Sequence, residues 1–250
     1  VDNEDDAVEL YRQTYGDQVI VFDKAEAAEI TDSGDNEQSH RGVVFARNAA
    51  FGIVRDLGYR YFLVLDDDYT FFAYCFDEQH RFTYRPVRNL DHVFTAVVEY
   101  LESTSIATVA FAQSGDFLGG AASNMAEKVW VKRKAMNSFF CDVERPWKCY
   151  GRINEDVTAN AIGGSRGQLF FQINHVRLNQ METQHNPGGL TDIYLDIGTY
   201  VKSFYSVMYC PSFVRVRAMG TVHPRLHHQL RWNNAVPKIL RESCRKQRVE

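Results

Sequence analysis

Residues 61–69 read YFLVLDDDY: an apolar run broken off by three consecutive aspartates, Asp66, Asp67 and Asp68. A short apolar run of this kind reads as a buried strand. Its abrupt end predicts carboxylates at the carboxyl edge of a sheet, where ligands bind in open α/β folds. Adjacent carboxylates repel one another unless a cation or hydrogen-bond donors neutralise them. Magnesium and manganese take oxygen ligands and bridge to substrate phosphates. The run therefore points to a metal–diphosphate site at the end of a central strand. A solvated turn with Asx-type bonding is the alternative reading of the same residues.

The 250 residues are 45% hydrophobic, enough for a sizeable core in a single domain spanning 1–250. No apolar stretch approaches the roughly 20 residues of a membrane helix. The acidic start, VDNEDDAVEL, does not read as a signal peptide. Five cysteines without C-x-x-C spacing fit reduced intracellular thiols, so a cytoplasmic location is expected. Charge is uneven. Residues 1–50 hold 12 Asp/Glu against 4 Lys/Arg; residues 201–250 hold 10 Lys/Arg against 2 Asp/Glu. The basic end suits a polyanion or a nucleotide diphosphate, or else balances the acidic end.

DQVIVFDK (17–24) reads as a short strand ending at Asp23, and TDSGDNEQSH (31–40) as a mobile polar loop. Apolar residues from Arg41 to Leu57 recur at helical spacing, and Gly58 stops that helix. With the strand at 61–65 this gives β–loop–α–β, a crossover that implies parallel strands. A hairpin is predicted around DEQH, a helix over 89–103 and an inner strand over 105–113. Further strands are expected in VWVKRK and NSFFCDV (129–143), at 168–178 and at 212–219. A short helix over 154–164 is capped by Asn154 and ended by glycines, and a long helix covers 190–208. The order predicts an α/β fold with a mixed, mostly parallel central sheet flanked by helices.

Several pieces combine. FARNAAFGIV places Arg47 and Asn48 on the helix before DDD, Gly119 and Gly120 form a loop after an inner strand, and Glu155–Asp156 follow in NEDVTANAIGG. Together they resemble the nucleotide-sugar glycosyltransferases of the GT-A fold, which is Rossmann-like. The run RNAAFGIVRDLGYRYFLVLDDDYTFF, with NEDVTANAIGG, is similar to the TET-associated glycosyltransferases, which occur mainly in bacteriophages. The resemblance implies a DxD motif that binds metal and diphosphate, an RN helix that contacts the nucleotide, a later acidic motif supplying a base, and a late histidine completing the metal shell. It also implies sugar transfer to the hydroxymethyl group of 5-hydroxymethylcytosine in DNA, from a nucleotide sugar, with a UDP-sugar expected, and manganese or magnesium as cofactor.

Carried onto this chain, Asp66 and Asp68 would hold the metal, with His223 as the completing ligand. Asp156 would act as base with Glu155 in reserve. Asp23, Arg47, Asn48, Asp67, Gly119 and Gly120 would bind the nucleotide sugar. Each has a plainer reading: His223 as a surface histidine, the acidic pair as helix-dipole residues, Arg47 as half of a structural salt bridge to Asp23 or Asp67. For DNA, the basic elements are Lys132–Lys134, Arg145, Lys148, Arg152 and the tail from Arg215 to Arg248. Trp147 is a candidate for stacking on a flipped base, or else a core residue. A glycosyltransferase with a protein or glycan acceptor, and a metal-dependent nucleotidyltransferase, are the competing functions.

Overall fold

The computed structural model describes residues 1–36, 40–127, 131–135, 138–180, 200–220, 224–239 and 242. His223, Trp130, most of the 190–208 helix and most of the chain after Ile239 lie outside them. The chain forms two compact units. One comprises Val1–Arg60, Lys148–Ala159 and Gly188–Gln229; the other comprises Tyr61–Trp147, Asn160–Pro187 and Leu230–Glu250.

The second unit is built on a six-stranded sheet. In chain order its strands are β1 (Tyr61–Val64), β2 (Tyr69–Phe76), β3 (Phe82–Pro86), β4 (Thr108–Gln113), β5 (Phe139–Asp142) and β6 (Phe170–Gln180). They lie side by side as β1-β5-β4-β6-β2-β3. With helices around this mixed sheet the class is α/β, as the pattern predicts, and is compatible with a Rossmann-like arrangement. The pairing differs from the mostly parallel expectation. Only β4 with β6 is parallel, and the other four pairs are antiparallel. Among the described residues the crossover expected from residues 17–24 into β1 does not form: that segment makes an isolated bridge, Asp2 with Phe22. β1 is therefore an edge strand, half-buried along its length, and not a central one.

The pairings orient β1, β4 and β6 the same way, so their carboxyl ends share one edge. β2 is antiparallel to β6 and begins at that edge. The acidic link 65–68 thus leaves one side of the sheet and rejoins it beyond β5, β4 and β6.

Against one face packs helix α4 (Leu90–Ser103), started by Asn89, whose side chain accepts from the His92 N–H. Its buried Val93, Val97 and Leu101 recur every fourth residue and meet Val109, Phe111, Phe140, Val176 and Leu178. Phe111 and Phe140 pack edge to face with centroids 5.3 Å apart. Arg145 donates to the carbonyls of Leu101, Thr104 and Ile106 and pairs with Asp142, closing the end of α4. It is thus engaged within the fold, not set aside for DNA. The β2–β3 hairpin is tied by Asp77. Its carboxyl is held below the usual range by the Arg81 backbone N–H and guanidinium.

The first unit contains helices α1 (Val8–Tyr15), α2 (Lys24–Glu29) and α3 (Val44–Asp56), then α7 (Lys202–Tyr209) and a two-stranded ribbon of β7 (Val214–Met219) and β8 (Arg225–Leu230), whose last residue belongs to the other unit. Gly58 ends α3 as predicted. At φ 79° it donates to the Arg55 carbonyl while Tyr59 donates to Val54, the Schellman arrangement. The start of the segment expected to be a mobile loop is tied down: Gly151 and Arg152 donate backbone N–H groups to the carbonyls of Asp32 and Ser33 at 2.9 and 2.8 Å.

Helix α6 (Glu155–Ser165) runs through the glycines expected to end it. A Cβ on Gly163 would lie 2.4 Å from the Phe170 ring, and one on Gly164 would lie 1.8 Å from the Ala235 carbonyl in α8 (Trp232–Ala235). These glycines serve close packing. Gly164→Ala should therefore destabilise the fold by about 1–3 kcal/mol, the usual cost of overpacking, seen as a lowered midpoint in urea unfolding. An unchanged midpoint would show that α8 can move aside.

Candidate functional site

In the first unit the chemistry is organised around residues 148–156. Arg47, buried on α3, donates to the buried Glu155 carboxylate at 2.5 Å. Asn48 clamps Cys149: its carbonyl accepts the Cys149 N–H at 2.8 Å, and its amide nitrogen donates to the Cys149 carbonyl at 3.1 Å. That nitrogen also reaches Thr31 Oγ1. The RN pair and the NED motif, more than a hundred residues apart, are thus joined. Arg47 has a carboxylate partner, as a cation on an apolar helix requires. The partner is Glu155, neither Asp23 nor Asp67.

Asp156 is buried beside Glu155 in the first turn of α6, and its Oδ1 accepts the Val157 N–H at 2.7 Å. Before it, Asn154 adopts a left-handed backbone, φ 58°, and its amide nitrogen reaches the Lys202 carbonyl, Ser206 and His228. Asp23 starts a helix and does not end a strand: its Oδ1 accepts from the N–H groups of Ala25 and Glu26, capping α2.

Two residues that sequence reasoning placed elsewhere complete this framework. Arg152, a basic candidate for DNA, is 2% exposed. It is bidentate to Asp35 at 2.9 and 3.0 Å, donates to the Arg41 carbonyl, and lies over the Phe45 ring. Tyr205 donates to the same Asp35 carboxylate. Burial and the neighbouring Asp32 carboxylate push the Tyr209 phenol well above its ordinary pKa. No local pattern marks Asp35 as this partner, because Arg152 reaches it only through the fold.

In the second unit, Asp66, Asp67 and Asp68 occupy the link at the carboxyl edge of the sheet, as expected. Asp67 is exposed, and Asp66 and Asp68 are partly buried. Asp68 Oδ2 accepts from Gln180 Nε2 at the end of β6, and among the described residues its buried Oδ1 has no hydrogen-bond partner. A buried carboxylate oxygen without a donor is costly, and a cation would relieve it. Among the described residues no group of three or more His, Cys, Asp and Glu converges as a metal cage. Two carboxylates plus substrate phosphates are nevertheless the usual setting for magnesium. Asp66 and Asp68 supply carboxylate oxygens, the donor type such an ion takes.

Gly119 and Gly120 follow β4 at the same edge. Both are left-handed, φ 93° and 60°, and a Cβ on either would meet nothing closer than 3.9 Å. Backbone conformation, not crowding, requires them. Asp116, just before this loop, was not legible as a site residue. It pairs with Arg133 at 2.5 Å and accepts from the Gln113 N–H and from Gln172. Arg133, the middle residue of the basic KRK, is therefore committed inside the protein. Trp147 is also internal, edge-on between Phe139 and Phe170 at 5.1 and 5.3 Å. It is packed in the core, which corrects the base-stacking reading.

The basic tail shows a sharper feature. Arg215 donates to Gln229 across the ribbon. Strand alternation then puts Arg217 with Arg215, and His227 and Arg225 with Gln229, on one face. Arg215, Arg217 and Arg225 are all exposed.

The framework around NED should fail when half of its ion pair is removed. Glu155→Gln leaves a buried guanidinium without its anion and should cost about 3–5 kcal/mol, measured by chemical denaturation. A loss below about 1 kcal/mol would mean that water reaches Arg47.

No curated protein and no solved structure matches the chain. Among the described residues no helix is long and apolar enough to cross a membrane. A family model described as TET-associated glycosyltransferase matches residues 1–189. That match covers the helix with Arg47 and Asn48, the aspartates at the sheet edge and the acidic start of α6, and on it the chain belongs to the TET-associated glycosyltransferase family.

Proposed function

We propose that this glycosyltransferase is one metal-dependent catalytic domain that moves a sugar from a nucleotide sugar, a UDP-sugar in the first instance, to the hydroxymethyl group of 5-hydroxymethylcytosine in DNA. The observation that carries the metal-dependent reading is Asp68, whose buried Oδ1 lacks a donor at the sheet's carboxyl edge in a chain of this family. Family membership favours glycosyl transfer over nucleotidyl transfer.

Asp66 and Asp68 would hold magnesium or manganese, with His223 as a further ligand. The ion would supply positive charge to the diphosphate as it leaves. Glu155, bound to Arg47, fixes the start of α6. The base is assigned to Asp156, which takes the proton of the acceptor hydroxyl. The hydroxyl oxygen forms a bond to the sugar's anomeric carbon, the bond from that carbon to the phosphate oxygen breaks, and the electron pair leaves with the diphosphate. Arg47 and Asn48 are given a supporting role, holding residues 149–155, narrower than direct contact with the nucleotide. Asp23, Asp67, Gly119 and Gly120 keep their proposed place around the donor. The exposed arginines of the ribbon are the proposed DNA contacts, since phosphate binding rests on such side chains.

The test is transfer in the presence of manganese, with a panel of nucleotide sugars and DNA with or without 5-hydroxymethylcytosine, read as the mass of the released nucleosides. Asp68→Ala should lower transfer at least about 100-fold, and Asp156→Asn should lower it by about 10²–10⁴ while sparing donor binding. Full activity of Asp68→Ala in chelator would remove the metal from the reaction. Sugar found on a protein or glycan but never on DNA would move the acceptor.

Replacing Arg215, Arg217 and Arg225 together by glutamate should weaken DNA binding. It should also flatten the plot of log affinity against log salt by roughly 0.9 per lost phosphate contact. Identical salt slopes for variant and wild type would assign the ribbon another role.

A further inference from the structure

The face of the sheet turned away from α4 carries an unsatisfied cluster. Arg177 lies opposite Ala73 of β2, and Asn179 opposite Phe71. Two residues apart on one strand, they project from the same face. The Arg177 guanidinium lies over the Tyr84 ring of β3, its central carbon 4.0 Å from the centroid. Stacking covers one side of the guanidinium and leaves the donors in its plane, the geometry that suits an oxyanion. Yet among the described residues the buried Arg177 Nε has no hydrogen-bond acceptor. Among the described residues no carboxylate pairs with Arg177.

Beside it, the Asn179 amide nitrogen donates to the Tyr84 hydroxyl, and among the described residues the buried Asn179 Oδ1 has no donor. Turning the amide over would only exchange the orphan, leaving a buried nitrogen without an acceptor. Asp68 Oδ1, tethered to β6 through Gln180, and Gln172 Oε1, also on β6, are orphaned in the same way. Buried polar groups are normally paired, so this concentration on one strand calls for a partner. Over Cys75 the face is closed by Phe117 and Met125. The thiol there is pushed up to about 12, chiefly by burial. Toward Asn179 the aromatic side chains stand open: Phe71 is 40% and Tyr84 46% exposed.

The pattern of orphans selects the ligand. One stacked cation asks for an anion, while the amide oxygens of Asn179 and Gln172 ask for hydroxyl donors. An apolar ligand would answer none of them. A bare phosphate backbone would bring oxygens against oxygens at Asn179. We infer that Arg177, Asn179 and Tyr84 form a subsite for a sugar phosphate, in which Arg177 takes a phosphate oxygen and Asn179 takes a sugar hydroxyl. This rests on the nucleotide-sugar reading above and identifies which residues would hold the donor's sugar–diphosphate part.

Calorimetric titration of the full chain in manganese chloride tests it. The probes are UDP-glucose, UDP-galactose, UDP-N-acetylglucosamine, GDP-mannose and inorganic pyrophosphate. Wild type should bind pyrophosphate and at least one nucleotide sugar. Arg177→Gln should weaken both at least tenfold, and Asn179→Ala should weaken the nucleotide sugar while leaving pyrophosphate within about twofold. Arg177→Lys keeps the charge without the planar fork and should still lose several-fold, which covers the case of a Gln variant that does not fold.

Binding unaltered in a folded Arg177 variant overturns the subsite, as does a wild type that binds none of the probes. Nucleotide-sugar binding that depends on Arg177, without transfer to 5-hydroxymethylcytosine DNA, would overturn the DNA acceptor and leave the subsite standing.

Discussion

The ion pair between Arg47 and Glu155 is the constraint on which the candidate site depends. Both partners are buried, so neither can lose the other cheaply. The pair fixes the start of α6 against α3, and Asn48, one residue on, fixes the backbone of Cys149 through two hydrogen bonds. Asp35 then holds Arg152 from the other side. The segment 148–156 is thereby positioned by side chains from α3 and the 31–35 stretch, and Asp156 with it. An acidic motif in this setting is tied down by neighbours on both sides, the kind of support that the proposed base would need.

The second unit solves a different problem. Its sheet brings the carboxyl ends of β1, β4 and β6 to one edge, and the aspartate link, the glycine turn and Asp116 all gather there. Structural demands are met internally, with Arg133 on Asp116 and Trp147 between two phenylalanines. Among the described residues, the orphaned buried polar atoms of this unit fall mostly on Asp68 and on Gln172, Arg177 and Asn179 of β6. Leftover hydrogen-bonding capacity in an otherwise well-paired core is the signature of a place meant for something else.

Much of this was legible locally. The helices over 44–56 and 90–103, the hairpin at DEQH and the inner strand before Gln113 follow from periodicity and turn residues. The stop at Gly58 is a backbone rule written in one residue. The misreadings share a cause: local pattern cannot name a distant partner. Residues 17–24 have strand-like composition, but among the described residues they find no neighbouring strand, so Asp23 becomes a cap. The pair Gly163–Gly164 looks like a helix stop, and only the approach of Phe170 and Ala235 shows that small size is what matters there. Arg152 and Arg133 look like surface charge until Asp35 and Asp116 arrive from elsewhere in the chain, and Arg145 until the carbonyls at the end of α4 do.

The sequence by itself determined the α/β class, the acidic edge after β1 and the family, because spacing and residue type are local properties that a linear pattern carries. The tertiary structure decided which charges are spent inside the protein and which are not. It joined Arg47 to Glu155 and Arg152 to Asp35, left Asp68, Arg177 and Asn179 with unmet bonds, and turned three arginines outward on the ribbon. The physical reason is that burial and hydrogen-bond pairing belong to neighbours in space, and those neighbours exist only once the sheet and helices have closed around them.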